Sequence, residues 1–354
     1  MTCYGESGPF DMTSDSPLQA PHWLGGNSLE RMMRQVLYAL TPTIAASYLL
    51  FGPGVMLNLF TASTSCLALE ALMLIMRGRP VARFVADGSA LVTAFLIALA
   101  IPALTPWWVT VTACFFAIVF AKHVYGGLGY NVFNPAMVGY VVVLVSFPQY
   151  VAEWPALTGA GVWTDWETTV SLFLSGAAVV DLDAISGATP LDAVKTQLAA
   201  MRTMQEISVG NAAGWLGGYG WEWINIASLM GGLWLLRERI ISWHAPAAML
   251  ATVGALYLLF YFVGSTINPT PFFGLLSGGT MLAAFFIVTD PVSGAATPVG
   301  RVIFGAGAGA LTFAMRKWGA YPDGIAFAVL LMNMAAPLID RYTLPRVYGH
   351  RDRS

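Results

Sequence analysis

Apolar residues fill this chain in long runs separated by short polar breaks, and the length of the runs decides what they form. A helix rises about 1.5 Å per residue, so a bilayer core of roughly 30 Å asks for about 20 apolar residues. Ten stretches approach or meet that length: 34–51, 55–76, 87–104, 107–125, 132–150, 213–236, 244–264, 272–289, 299–315 and 323–340. The breaks between them are turn formers, among them Gly52-Pro53-Gly54, Pro102 to Pro106, Asn268-Pro269-Thr270-Pro271 and Tyr321-Pro322-Asp323-Gly324. Trp107, Trp108, Trp154, Trp221, Trp223 and Trp318 fall at the predicted ends, where an interfacial aromatic belt would place them. The pattern predicts an all-α integral membrane protein of about ten transmembrane helices.

One long polar interval interrupts the series, and it holds Asp183-Ala-Ile-Ser-Gly-Ala-Thr189-Pro-Leu-Asp192. Pro190 biases Thr189 towards extended backbone and suits the first position of a helix, with Thr189 as N-cap and Asp192 as the acidic third residue. Leu191, Val194, Leu198 and Met201 recur at spacings of 3, 4 and 3, one apolar stripe of a short soluble helix. Ser186, Gly187 and Ala188 leave the backbone open to a large neighbour. Thr189 therefore offers a hydroxyl where unpaired N–H groups and the helix dipole favour an anion such as a phosphate. On these residues alone, a plain helix cap is the better reading.

Charge changes the picture by where it lies. The net charge of −2 says little, while only 10% of residues are charged and 57% are hydrophobic, against about 25% charged in ordinary soluble domains. With the N-terminus cytoplasmic, that side receives thirteen basic residues and the other side four, Lys195, Arg202, Arg316 and Lys317, which accounts for all 17. The positive-inside rule then places both termini in the cytoplasm and the Thr189 interval outside it. The expected layout is a cytoplasmic segment 1–33, a first five-helix unit 34–150, an extracytoplasmic loop 151–212, a second five-helix unit 213–340 and a cytoplasmic tail 341–354. A weak repeat supports two units. Gly88-Ser-Ala-Leu-Val-Thr-Ala-Phe-Leu-Ile resembles Gly278-Gly-Thr-Met-Leu-Ala-Ala-Phe-Phe-Ile at an offset of 190, and Lys122-His-Val-Tyr-Gly-Gly echoes Arg316-Lys-Trp-Gly-Ala-Tyr at 194. Five helices per repeat gives the two opposite topologies, as in many transporters.

Composition excludes several classes. Cys3, Cys66 and Cys114 are scattered without a C-x-x-C, so a disulfide framework or a metal or cluster site within the chain is not expected. The polar, acidic first 30 residues do not read as a signal peptide. Nothing suggests a nucleic-acid partner. Intramembrane polar residues are functional candidates by default: Glu70, Lys122-His123, Asn131, Asn134, Glu222, Asp290 and Asn333. Lys122, Glu222 and Asp290 lie near predicted helix ends, so reaching the interface is their simpler explanation. Glu70, about 16 residues into its span, is the weak candidate for an ion path, with snorkelling to the interface or a structural polar contact as the alternatives. Gly126-Gly127-Leu128-Gly129-Tyr130-Asn131 has no strand before it and no Lys-Ser/Thr after it, so it predicts a re-entrant turn rather than a nucleotide loop.

Tyr125-Gly-Gly-Leu-Gly-Tyr-Asn-Val-Phe-Asn-Pro-Ala-Met-Val-Gly-Tyr140, Thr289-Asp-Pro-Val-Ser293, Gly300-Arg-Val-Ile-Phe-Gly305 and Tyr321-Pro-Asp-Gly-Ile-Ala-Phe-Ala-Val-Leu-Leu-Met-Asn333 carry a resemblance. The chain resembles, from about 28 to 342, the D subunit of the Rnf ion-translocating oxidoreductase complex, whose family includes the B subunit of the sodium-translocating NADH:quinone reductase. The resemblance implies covalent FMN, joined through its phosphate by a flavin transferase to the Thr of an Asp-x-x-Ser/Thr-Gly-Ala-Thr motif. Asp183, Ser186, Gly187, Ala188 and Thr189 match that motif. Asp290-Pro-Val-Ser-Gly-Ala-Ala-Thr297 is a decoy with one residue too many, on the side the charges assign to the cytoplasm. The resemblance further implies a translocase-type complex in the bacterial inner membrane, running electrons between ferredoxin and NAD with Na+ or H+ movement. In it this chain is not catalytic alone, electrons pass to and from other subunits, and a non-covalent riboflavin sits at a place the sequence does not give. The alternative from another class is a secondary transporter or channel on the same inverted repeat, without flavin.

Overall fold

The computed structural model describes residues 29–157, 165–175, 185–208, 214–321 and 323–344. Asp183 lies outside the described residues. Among the described residues, these helices carry the architecture: α1 (Leu29–Phe51), α2 (Gly54–Met76), α3 (Ser89–Ala100), α4 (Trp107–Val124), α5 (Pro135–Ser146), α6 (Pro190–Ala199), α7 (Trp221–Arg237), α8 (His244–Val263), α9 (Pro298–Trp318) and α10 (Ile325–Thr343). Five of these, α2, α4, α8, α9 and α10, are long and apolar enough to cross a membrane. The described residues are all-α apart from a two-residue antiparallel pairing of β1 (Trp154–Pro155) with β2 (Ser186–Gly187).

Several helices are shorter than the apolar runs that predict them, for local reasons. The run 87–104 keeps only the 12 residues of α3, because Gly88 sits at φ 78° before it and Ile101 turns extended ahead of Pro102. The run 132–150 begins its helix only at Pro135, where the Asn134 side chain accepts the Met137 N–H. The run 272–289 breaks in two, Pro271–Leu275 and a second piece from Thr280 to Ile287, around Gly278 at φ 59°. Gly88 and Gly278 are the positions that the sequence repeat pairs. The run 213–236 starts its helix at Trp221 because the Glu222 carboxylate accepts the N–H groups of Trp215, Leu216 and Gly217 at 3.2, 2.7 and 2.9 Å and folds that stretch into a loop. Glu222 is thus a buried cap for a loop, and it does not reach outwards.

Helices α1 to α5 pack together, and α8, α9 and α10 pack together, with α7 tied to α8 through the Thr280–Ile287 piece. Two seams join these groups. At one, α1 lies on α7 with Thr43 Oγ 3.1 Å from Ser228 Oγ, and a Cβ at Gly231 would stand 2.0 Å from the Ala39 carbonyl oxygen. Helices in lipid gain little from hydrophobic burial against each other, so close backbone approach and hydrogen bonds hold such a seam. At the other, α5 meets α10: the Asn134 N–H donates to Asn333 Oδ1 at 3.1 Å, and Asn333 Nδ2 donates to the Ser293 carbonyl at 2.9 Å. One core of buried side chains runs through both groups, from Ala94 and Ile97 to Phe286, Ala308 and Val329.

Candidate functional site

Thr189 has the extended backbone that Pro190 demands, φ −63° and ψ 155°, and its Oγ accepts the Asp192 N–H at 3.2 Å. Its own hydroxyl proton has no acceptor among the described residues. The preceding motif runs along the surface. Ser186 and Gly187 pair with Pro155 and Trp154, and Ala188 is exposed. A Cβ at Gly187 would sit 3.3 Å from Ala156, so the pairing needs a small residue there. Helix α6 lies with Leu191 and Val194 against Phe273 and Ile207, which anchors it to the second half. Lys195 adds bonds to the carbonyls of Gly319 and of Tyr321, the latter at 3.1 Å.

Beneath Thr189 lies a cavity of about 270 Å³ at the seam of the two halves. Tyr140 of α5, Trp154, Trp221, Tyr321 and Asp323 contribute to its wall, with Thr189 and Asp192 at its edge. Asp323 accepts from Arg316 at 3.1 and 3.2 Å and from the Gly279 N–H at 3.0 Å. Arg316 is engaged by Asp323 together with the Gly274 carbonyl at 2.8 Å and Thr280 Oγ at 2.9 Å. The wall is therefore mostly aromatic and apolar, with Asp323 paired to Arg316 and Asp192 at the edge; at the start of α6 the Asp192 and Ala193 N–H groups bond Thr189 and Pro190 has none, which leaves that of Leu191. That wall suits a planar ring.

Trp154 and Trp221 thus pack as a pair at 4.7 Å between ring centroids, against Phe51, and do not belong to an interfacial belt. Trp107, Trp223 and Trp318 are exposed as a belt requires. Sequence reasoning missed Tyr140, Arg316 and Asp323 as residues around this cavity. The one available signal was Arg316, a basic residue on the side where basic residues are scarce.

Thr297 repeats the cap but not the setting. Its Oγ accepts the Gly300 N–H at 2.9 Å and meets Thr343 Oγ at 2.5 Å, while the Asp340 carboxylate accepts the Ala296 N–H at 2.9 Å. It is 8% exposed and does not border the cavity beneath Thr189.

Residues 18–349 match the NQR2, RnfD, RnfE family. The chain belongs to that family. Its relatives include the D subunit of the ion-translocating oxidoreductase complex of Pseudomonas aeruginosa strain UCBPP-PA14, 53% identical over 334 residues, covering 94% of this chain and 95% of the relative. The protein of the same name from Ectopseudomonas mendocina is 52% identical over 336 residues, with 94% and 96% covered. That of Vibrio cholerae strain O395 is 47% identical over 343 residues, with 94% and 98% covered.

This NQR2, RnfD, RnfE family member holds a second polar centre at the opposite end of the bundle. Glu70 of α2 is 2% exposed, and its Oε2 accepts from Lys122 Nζ at 2.9 Å. His123 Nε2 lies 3.1 Å from the same oxygen but off the line of a hydrogen bond, and His123 Nδ1 has no partner. Lys122 also donates to Ser89 Oγ at 2.8 Å, and Ser89 donates to Asp87 at 2.6 Å. Lys122 and His123 fall in the π-helical segment Phe116–Val124 of α4. Adjacent residues of an α-helix do not face one target; the wider π turn brings both towards Glu70. Lys122 therefore does not reach for the interface. The cluster lies between a cavity of about 490 Å³ bordered by Glu70, Arg77, Asp87 and His123 and one of about 120 Å³ bordered by Lys122, Asn131, Asn134 and Asp290. Asp290 itself is half-buried and accepts from Ser293.

Proposed function

We propose that this chain is the flavin-bearing membrane electron-transfer subunit of an Rnf-type ferredoxin:NAD oxidoreductase complex that moves Na+ or H+ across the bacterial inner membrane. The observation that carries the reading is Thr189 at the rim of the aromatic cavity between the two halves, with its hydroxyl proton unaccepted. A flavin transferase would join FMN to Thr189 Oγ through the phosphate, at the N-terminal end of α6. When bound, the flavin supplies the redox chemistry, and the protein supplies position, electrostatics and exclusion of water. Trp154, Trp221 and Tyr140 would cover the ring, while Asp323 on the cavity wall is paired with Arg316. Ser186, Gly187 and Ala188 leave the rim open to the transferase, and Asp183 completes the motif.

The chain spans the membrane ten times as two inverted five-helix repeats with both termini cytoplasmic, and Glu70 belongs to the ion path. A second, non-covalent riboflavin belongs to the membrane region of the same subunit. Partner subunits deliver and collect electrons. The relatives' shared name, which makes each of them part of an oxidoreductase complex, favours this reading over a flavin-free transporter of like fold. Flavin fluorescence of the denatured chain, resolved on a gel from cells that possess the transferase, tests it. A fluorescent band is expected, and a dark one supports the transporter.

A further inference from the structure

Three of the four basic residues that the charge pattern assigns to the outer side border one cavity. It measures about 490 Å³ and lies between α6 and the second half, with Lys195, Arg316 and Lys317 on its wall. A side otherwise poor in cations has concentrated them here. Arg316 is committed to Asp323, but the two lysines have only neutral partners. Lys195 donates to the carbonyls of Gly319 and Tyr321; Lys317 donates to Asn268 Oδ1 and lies 5.6 Å over the Phe260 ring. Their charge is unmatched by any carboxylate in salt-bridge contact among the described residues. Apart from Asn268 and Tyr257 the rest of the wall is apolar, with Leu198, Phe260, Ile267 and Phe313. Just beside it, Phe262, Val263 and Trp318 are exposed, which marks a lipid-facing surface at interfacial depth.

We infer that this cavity seats an anionic phospholipid of the outer leaflet, its phosphate on Lys195 and Lys317 and an acyl chain along Phe260 and Phe313. The lipid fills the gap beneath α6 and fixes the Thr189 helix to the second half. Two charges at interfacial depth and an apolar wall leading to the lipid-facing surface match such a molecule, whereas a small anion leaves the apolar wall bare. The inference uses the outward placement of α6 and is independent of whether flavin is attached.

The complex, reconstituted in phosphatidylcholine vesicles, is given traces of phosphatidylglycerol or phosphatidylcholine bearing the same photoreactive acyl chain. Cross-linked peptides of this chain are then mapped by mass spectrometry. Phosphatidylglycerol is expected to label the stretches around Leu198, Ile267 and Phe313 in preference to phosphatidylcholine. The ratio expected is roughly 30-fold, the field of two lysines on one anionic headgroup. Lys195→Gln with Lys317→Gln should abolish the preference, and Lys195→Arg with Lys317→Arg should keep it. Equal labelling by the two lipids in the wild type overturns the inference. So does a preference that survives in the Gln pair, or labelling erased by excess inorganic phosphate, which would make this a small-anion site. If the Gln pair does not assemble, the wild-type ratio and the Arg pair still decide. Flavin fluorescence recorded on the same samples reports separately on Thr189.

Discussion

Thr189, Thr270 and Thr297 share one local structure and differ in what surrounds it. Each precedes a proline, and each caps its helix by accepting the N–H three residues on. The sequence shows the cap in all three cases, so the cap alone cannot single out a site. What distinguishes Thr189 from both is the cavity behind it, which has no local sequence signal. The spacing of the motif, Ser186-Gly187-Ala188 directly before the threonine, does separate it from Thr297. Thr297→Val should leave flavinylation intact and cost about 1 kcal/mol of stability, the worth of a cap. Thr343 still donates to the Ile339 carbonyl at 2.9 Å, so no buried hydroxyl is stranded. A small drop in the thermal midpoint of the purified complex with undiminished in-gel fluorescence is the expected result; loss of fluorescence would contradict it.

At the scale of elements, the apolar runs were readable but their interruptions were only partly so. Gly88, Pro102 and Asn134-Pro135 announce where helices start or stop. The π segments Phe116–Val124 and Ala283–Ile287 have no such announcement, because a helix that is apolar on all sides shows no period to be broken. Only the first of them explains why neighbouring Lys122 and His123 both face Glu70. That arrangement has a testable consequence. Glu70→Gln leaves the Lys122 ammonium buried without a counter-ion, a defect that costs about 3–5 kcal/mol. Glu70→Gln with Lys122→Met removes both charges and should recover most of that loss in thermal denaturation of the complex. The double variant then separates stability from transport. Lower ion movement per electron is expected from it, and unchanged pumping would reduce the cluster to a structural role.

For the whole molecule, the governing feature is a bundle in two halves with a cavity at their seam and α6 across its mouth. The hydrophobic pattern and the family resemblance gave the all-α class and the polar interval. The cavity was not legible, since Tyr140, Trp154, Trp221 and Asp323 come from distant parts of the chain and meet only in the folded state. The orientation is testable by a reporter fused near residue 200, within the loop that carries Lys195 and Arg202. Activity on the outer side is expected, and activity in the cytoplasm would reverse the charge argument and with it the lipid inference.

The central claim is that Thr189 carries the flavin, and the mass of the intact chain tests it most directly. From cells with the transferase, the wild-type chain should weigh its sequence plus one FMN less one water, the balance for a phosphoester. Thr189→Val keeps the side-chain shape and removes the oxygen. It should return the chain to its bare mass while the complex still assembles, because the lost cap is small beside the roughly 5–15 kcal/mol of a typical fold. A Thr189→Val chain that still bears FMN, or a wild-type chain at its bare mass, would contradict the account.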